Sequence, residues 1–284
     1  MTRFSTRALS RRAVAVLVVV VLGVTGCGKA GVSSSHERQA SPTGHQAAPS
    51  DAGADVRAES ILMQPADGRS PTLAVVVIHG GSWGGSAPEL IARAATVAAL
   101  LPAKGWAAVV AAYRAGPGGL EDLLIQYDDL RRRLPGTPIC LVGESAGGHL
   151  ALMIAARRSS VRCVINEAGP TDLAGLRSGP SPSPAGYEIA ARVFGEQNLG
   201  RWSPIRSAGR IRAHIFQVVA ANDRLVPPIQ GERLNALVRH GTLRVLNPGS
   251  TFFVHSTVDA AQLAEVRDEE IEFLADFAKN PARE

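Results

Sequence analysis

The chain has 284 residues, 30 basic and 25 acidic, with a formal charge of +5 and 45% hydrophobic side chains. Arg3, Arg7, Arg11 and Arg12 precede Cys27 with no acid among them, so the chain beyond that point stands near +1. The basic excess therefore belongs to the first residues and gives no ground for a nucleic-acid partner, and the length suits one α/β domain with a full core.

The arginines lead into "AVAVLVVVVLGVTG". That is the charged and then apolar layout of a secretory signal, shorter than the ~20 residues of a comfortable membrane span. The run closes on Val24, Thr25, Gly26 and Cys27, which resembles a bacterial lipobox. The resemblance implies loss of residues 1–26, lipidation of Cys27 and a protein held on the outer face of a membrane by that lipid. An ordinary signal peptide, leaving the protein secreted, or a single anchor helix are the alternatives. "SRR" at Ser10 to Arg12 faintly resembles a twin-arginine signal. Residues 27–56 are rich in Ser, Gly, Ala, Pro and His without apolar period, the composition of a flexible tether. His36 and His45 fall there and are read as solvated, not as metal ligands. Residues 57–284 are the expected folded domain.

From residue 72 strands and helices alternate. "TLAVVVIHG" is a continuous β-rich apolar run, as a strand buried on both faces would be. A helix is predicted from Pro88 to Leu101, with proline at its start. "WAAVVAAY" is a strand, residues 120–134 a helix, "PICLVG" a strand, and 146–158 an Ala- and Leu-rich helix. Arg131 to Arg133 fall at a helix end, where positive charge is favoured. "VRCVINEA" is a strand, followed by a Pro- and Gly-rich insertion from Gly169 to Pro204. "AHIFQVVAA" is a strand, 228–240 a helix, "TLRVLN" a strand and 259–278 a closing amphipathic helix. The alternation predicts an α/β fold, a doubly wound, mostly parallel sheet with helices on both faces and a short lid-like insertion. Ligands bind such sheets at the carboxyl ends of the strands. Cys140 and Cys163 lie in two of the strands. They are expected as reduced core thiols, since neighbouring parallel strands seldom offer disulfide geometry.

Four features carry chemistry. Gly143-Glu144-Ser145-Ala146-Gly147 fits G-x-S-x-G between a strand and a helix, the context in which a serine is held on a tight turn as a nucleophile. The pentapeptide alone also fits a small-residue turn without chemistry. "HGGSWGG", His79 to Gly85, follows the first long strand. Backbone N–H groups of Gly81 and Ser82, with that of Ala146, are the candidates for an oxyanion hole. The cluster lacks the spacing and the Lys-Ser/Thr ending of a phosphate loop. Asp223, in "VVAANDRLVPP", is the candidate carboxylate, with Asp172 in "GPTDL" its competitor and a turn-capping role its plain alternative. His255, in "FFVHST" after the last predicted strand, is the candidate base. His79 is read as orienting its loop, His149 as packing, His214 as starting a strand and His240 as ending a helix. Ser145, Asp223 and His255 stand in the order Ser…Asp…His, each after a predicted strand. That order is associated with α/β-hydrolases.

"VIHGGSWGGS", "AAYR", "GESAGGHLAL", "GPTDL", "SPI" and "ANDRLVP" together make residues 57–278 similar to the esterase/lipase branch of the α/β-hydrolase fold. That branch holds the hormone-sensitive-lipase-like carboxylesterases and the compact esterases related to acetyl-xylan and feruloyl esterases. The resemblance implies hydrolysis of a carboxylic ester, small or glycan-borne, through an acyl group on Ser145, with no metal or organic cofactor. Ser82 stands where the hormone-sensitive-lipase-like members carry a third glycine, which tilts the likeness towards the compact esterases. Trp83, Tyr187, Phe194, Trp202 and Phe252 are candidate pocket residues, though the three in or beside the insertion (Tyr187, Phe194, Trp202) equally suit a role anchoring it. A serine peptidase or amidase shares this chemistry, and a non-catalytic surface lipoprotein is the third reading.

Overall fold

A computed structural model describes residues 60–281. The signal segment, Cys27 and the tether lie outside the described residues. Among the described residues no helix is long and apolar enough to cross a membrane.

In chain order the elements are β1 (Ile61–Met63), β2 (Ala74–Ile78), α1 (Pro88–Ala98), β3 (Ala107–Ala111), α2 (Gly118–Arg133), β4 (Ile139–Glu144), α3 (Ala146–Ala155) and β5 (Val161–Glu167). Then come α4 (Gly175–Ser178), α5 (Pro184–Phe194), β6 (His214–Ala220), α6 (Ile229–Asn235), β7 (Gly241–Leu246), β8 (Pro248–Phe253), β9 (Ser256–Val258) and α7 (Ala260–Lys279). Seven strands form one sheet in the order β1-β3-β2-β4-β5-β6-β7. Every neighbouring pair is parallel except β1 with β3.

The strands are continuous apolar runs because both faces are covered. In β2, Ala74, Val76 and Ile78 face one core, and Val75 and Val77 face the other. The first core holds the apolar faces of α2 and α3, and the second those of α1 and α7. All ten residues of α3 are buried, which explains its run of Ala, Leu, Met and Ile without a polar stripe.

Three parts differ from the sequence reading. The insertion is partly helical, as α4 and α5. The helix expected over 228–240 ends at Asn235, and His240 leads into β7 instead, its carbonyl accepting from Ile215 N–H at 2.8 Å. The chain after β7 forms a separate antiparallel hairpin, β8–β9, before the last helix.

The cysteines also need correction. Cys140 and Cys163 are joined by a disulfide, with Cα atoms 4.6 Å apart, so they are not reduced thiols. The cause is register: β4 and β5 shift by a residue between Ile139 and Cys140, which sets Cys140 directly opposite Cys163. Their Cα separation then lies inside the range a disulfide spans (~4.4–6.8 Å).

Candidate active site

The site sits at the carboxyl ends of the central strands. β4 ends and α3 begins with only Ser145 between them. That junction forces Ser145 to φ 50°, ψ −121°, a conformation costly for any residue with a side chain (about 1–3 kcal/mol). The flanking glycines explain how it is tolerated. A Cβ on Gly147 would lie 2.1 Å from the Ile78 carbonyl oxygen, and one on Gly143 would lie 2.4 Å from the Gly147 backbone. The elbow is pinned from the neighbouring strand, because Ser145 N–H donates to Glu167 O at 2.8 Å.

Asp223 follows β6 in a tight turn. One carboxylate oxygen accepts from the N–H groups of Leu225 and Val226 at 2.8 and 2.9 Å. The other meets His255 Nδ1 at 2.9 Å. The Asp223 side chain is buried and that of His255 is 12% exposed. His255 occupies the turn between β8 and β9, beside Val254, whose φ is +49°. Its Nε2 lies 2.7 Å from Ser145 Oγ. These partners fix the tautomer: Nδ1–H donates to the carboxylate, and Nε2 is left to accept the serine proton. The three candidate catalytic residues, 110 positions apart at the extremes, are thus joined in one relay. Asp172, the competing carboxylate, is elsewhere: it accepts from Gly175 N–H and from Arg233.

A narrow cleft opens at Ser145, with Ser82, Trp83 and Ala146 on its wall. Ala146 is the first residue of α3, so its N–H lies outside the helical ladder. Ser82 and Trp83 have φ of 53° and 58°, which turns their loop towards the serine. Gly81 is not on the wall. It makes the turn behind it, its carbonyl accepting from Gly84 N–H at 2.9 Å. His79 braces the same loop from below: it stacks on Tyr113 and bonds Gly80 O and Ser86 Oγ, each at 2.7 Å. Burial holds its pKa below the ordinary value.

His149 ties three segments together. Its Nδ1 accepts from Trp83 Nε1–H at 3.1 Å, and its Nε2–H donates to Trp202 O at 2.7 Å. Burial pushes its pKa down to about 4, so the ring stays neutral and keeps both bonds near pH 7. The glycine-rich loop, the elbow helix and the insertion are therefore coupled through one imidazole.

The remaining pocket candidates divide. Trp83 lines the cleft. Phe194 and Trp202 do not: they stack on each other, with centroids 4.6 Å apart, in an aromatic cluster with Trp83 and His149. Tyr187 bonds Glu196 and lies beside Arg177 at the surface. Phe194 and Trp202 anchor the insertion, and Tyr187 ties its segments to one another. Phe252 stands 66% exposed on a second, larger cleft that contains His255.

Sequence reasoning missed two groups. The far wall of the first cleft is Pro170, Leu176, Gly186, Ile189, Leu225 and Val226, from the loop after β5, α4, α5 and the Asp223 turn. Beneath the elbow, Arg267 of α7 bonds Glu167 and Glu270 and lies 5.8 Å from the Phe253 ring. Burial opposes the charge on Arg267, but the two carboxylates hold its pKa above the usual value. For Glu270, burial and then the Glu167 charge push the carboxyl up to about 8. Arg267 and Glu270, three residues apart on α7, are the only sequence signal for this cluster.

No protein-family model and no curated protein matches the chain. Solved structures do. A truncated carbohydrate esterase from gut microbiota is 17% identical over 79% of this chain and 92% of its own, with a TM-score of 0.65. Est1E from Butyrivibrio proteoclasticus, solved with ferulic acid, is 16% identical over 78% and 95%, with a TM-score of 0.56. The acylaminoacyl peptidase of Pyrococcus horikoshii is 16% identical over 76% of this chain but only 39% of its own, with a TM-score of 0.59. The protein thus has the α/β-hydrolase fold.

Proposed function

We propose that the protein is a serine hydrolase that cleaves carboxylic esters through an acyl group on Ser145. The observation that carries this reading is the continuous relay from Ser145 Oγ to His255 Nε2 and from His255 Nδ1 to Asp223, at 2.7 and 2.9 Å.

Ser145 Oγ attacks the ester carbonyl carbon as its proton passes to His255 Nε2. Asp223 holds the ring and stabilises the imidazolium. The carbonyl oxygen becomes an oxyanion facing the N–H groups of Ala146 and the Ser82 turn, each such donor worth about 2.7–4 kcal/mol of barrier. The tetrahedral adduct collapses, the C–O bond to the alcohol breaks, and His255 returns the proton to the departing oxygen. Water, activated by the same imidazole, then releases the acid and frees Ser145. No metal or organic cofactor enters these steps.

A fluorophosphonate probe should label the folded protein at Ser145, and Ser145→Ala should abolish the label. Turnover of p-nitrophenyl acetate should exceed that of aminoacyl-nitroanilides. The reverse preference would make the protein a peptidase or amidase. An unlabelled folded protein would leave a non-catalytic surface protein. Export and attachment through Cys27 belong to the same proposal. Export is supported by the Cys140–Cys163 disulfide, since such bonds persist in oxidising compartments, and attachment by the lipobox-like run from Val24 to Cys27. Radiolabelled fatty acid should enter the full chain, and Cys27→Ala should prevent it.

A further inference from the structure

A third cleft lies at the opposite ends of the strands from Ser145. It forms where the chain enters three neighbouring parallel strands, β5, β6 and β7. Ser159 and Arg162 line it at the start of β5, Arg212 and His214 at that of β6, and Arg239 and His240 at that of β7. None of its lining residues is acidic. The rings of His214 and His240 stack with centroids 4.3 Å apart, so two imidazoles lie face to face among three guanidinium groups.

The basic character extends beyond the cleft. Arg157 follows α3 at the same end of the sheet, and its pKa is held below the usual value, by burial first and then by the charges of Arg201, Arg210 and Arg158. Elsewhere arginines are neutralised: Arg114, Arg177, Arg233, Arg244 and Arg267 each meet a carboxylate. Arg201, Arg212 and Arg239 are exposed and form no ion pair among the described residues. Beyond Cys27 the charges of the chain nearly cancel, so this end gathers positive charge that the whole does not carry. Such a patch attracts anions. Guanidinium forks facing a common space suit phosphate in particular, which accepts two parallel N–H bonds from each.

We propose that this end of the protein docks on an anionic phospholipid membrane, with headgroup phosphates held by Arg212 and Arg239. The attachment proposed at Cys27 brings such a surface within reach, and this step rests on that reading. A tether with the composition of residues 27–56 would keep the domain near lipid without orienting it. Docking through the amino ends of the strands does orient it. Ser145 lies at the carboxyl ends and then opens on the side away from the lipid.

The test uses the full chain on two kinds of vesicle, phosphatidylcholine alone and phosphatidylcholine with phosphatidylglycerol in a three-to-one ratio. Flotation with the neutral vesicles checks the attachment. Bound protein is then treated with phenylglyoxal, and the modification of each arginine is followed by mass spectrometry. Arg212 and Arg239 should react about fivefold more slowly on the anionic vesicles, the factor by which an anionic lipid surface favours one nearby arginine. High salt should remove the difference. Arg192 on α5 and Arg224 beside Asp223 should react alike on both vesicles. The double variant Arg212→Ala/Arg239→Ala should lose the slowing at Arg201 and Arg210 and still float with neutral vesicles. Equal reactivity of Arg212 and Arg239 on the two vesicles, equal slowing at Arg192 and Arg224, or slowing at Arg201 and Arg210 that survives the double variant would overturn the docking surface while flotation persisted. So would equal protection by inorganic phosphate on neutral vesicles, which would make the ligand a soluble anion. Failure to float with either vesicle would remove the attachment and the docking together.

Discussion

Ser145 and His255 are hydrogen-bonded partners, yet the protein holds them by opposite means. Ser145 lies between a central strand and a helix with all ten of its residues buried, and neighbouring backbone leaves no room for change at Gly143 and Gly147. His255 rides on a two-stranded hairpin outside the main sheet. Most of β8 is exposed, and only Phe253 and Val258 of the hairpin are deeply buried. Ser145 therefore inherits its position from the core. His255 inherits its position from one carboxylate and a small apolar foot. Damage to the backbone turn that holds the serine should register as lost stability as well as lost activity, and damage near the histidine mainly as lost activity.

That contrast can be tested from its strongest effect downward. Ser145→Ala removes only an oxygen and keeps the backbone strain, so kcat should fall about 10⁴- to 10⁶-fold with little change in the thermal midpoint. Asp223→Asn should cost about 10⁴-fold in kcat, because the amide favours the wrong tautomer of His255. Its unfolding free energy in urea should stay close to wild type, and a large loss there would break the contrast. Replacing Cys140 and Cys163 together by alanine should do the converse. The closed loop spans 23 positions, so the chain-entropy view predicts a loss of roughly 3 kcal/mol in urea unfolding, with kcat at 25 °C retained. Gly147→Ala should cost about 1–3 kcal/mol by overpacking and lower kcat too, since the Ile78 carbonyl it would strike leads into the glycine-rich loop beside Ser145.

The smallest effect is a slope. The Glu270 carboxyl is pushed up to about 8, by burial first and the Glu167 charge second. Its folded pKa exceeds that of the unfolded chain, about 4.3, so between those values the folded state binds more protons. Its contribution is complete below the unfolded value and is lost as pH rises through about 8. Glu270→Gln should flatten the decline of the thermal midpoint between pH 5 and 9. An identical slope in the variant would assign it to other groups.

Much of this was legible in the chain because it depends on local pattern. The central strands of the sheet are apolar runs, and Ser145 and Asp223 each follow one. What escaped was set by packing or register. Nothing in "PGSTFF" alternates, so the hairpin that carries His255 read as loop. The Cys140–Cys163 bond depends on a one-residue shift that apolar periodicity does not report. Phe194 and Trp202 were visible as large aromatics, but their burial against Trp83 and His149 is tertiary. The helix carrying Ile189 did leave a local trace: Ser183 caps it through Gly186 N–H and Pro184 begins it, the residue types expected there. The surrounding prolines and glycines masked that trace.

The disulfide has a consequence for the order of events in the life of the chain. Both cysteines are fully buried between the two central strands and the helices over them. A small oxidant meets those sulfurs only while the sheet is still open, and a reductant only after it has opened again. The bond is therefore made before the core closes and is kept by that closure. It records the surroundings in which the protein folded, whatever surroundings it later enters.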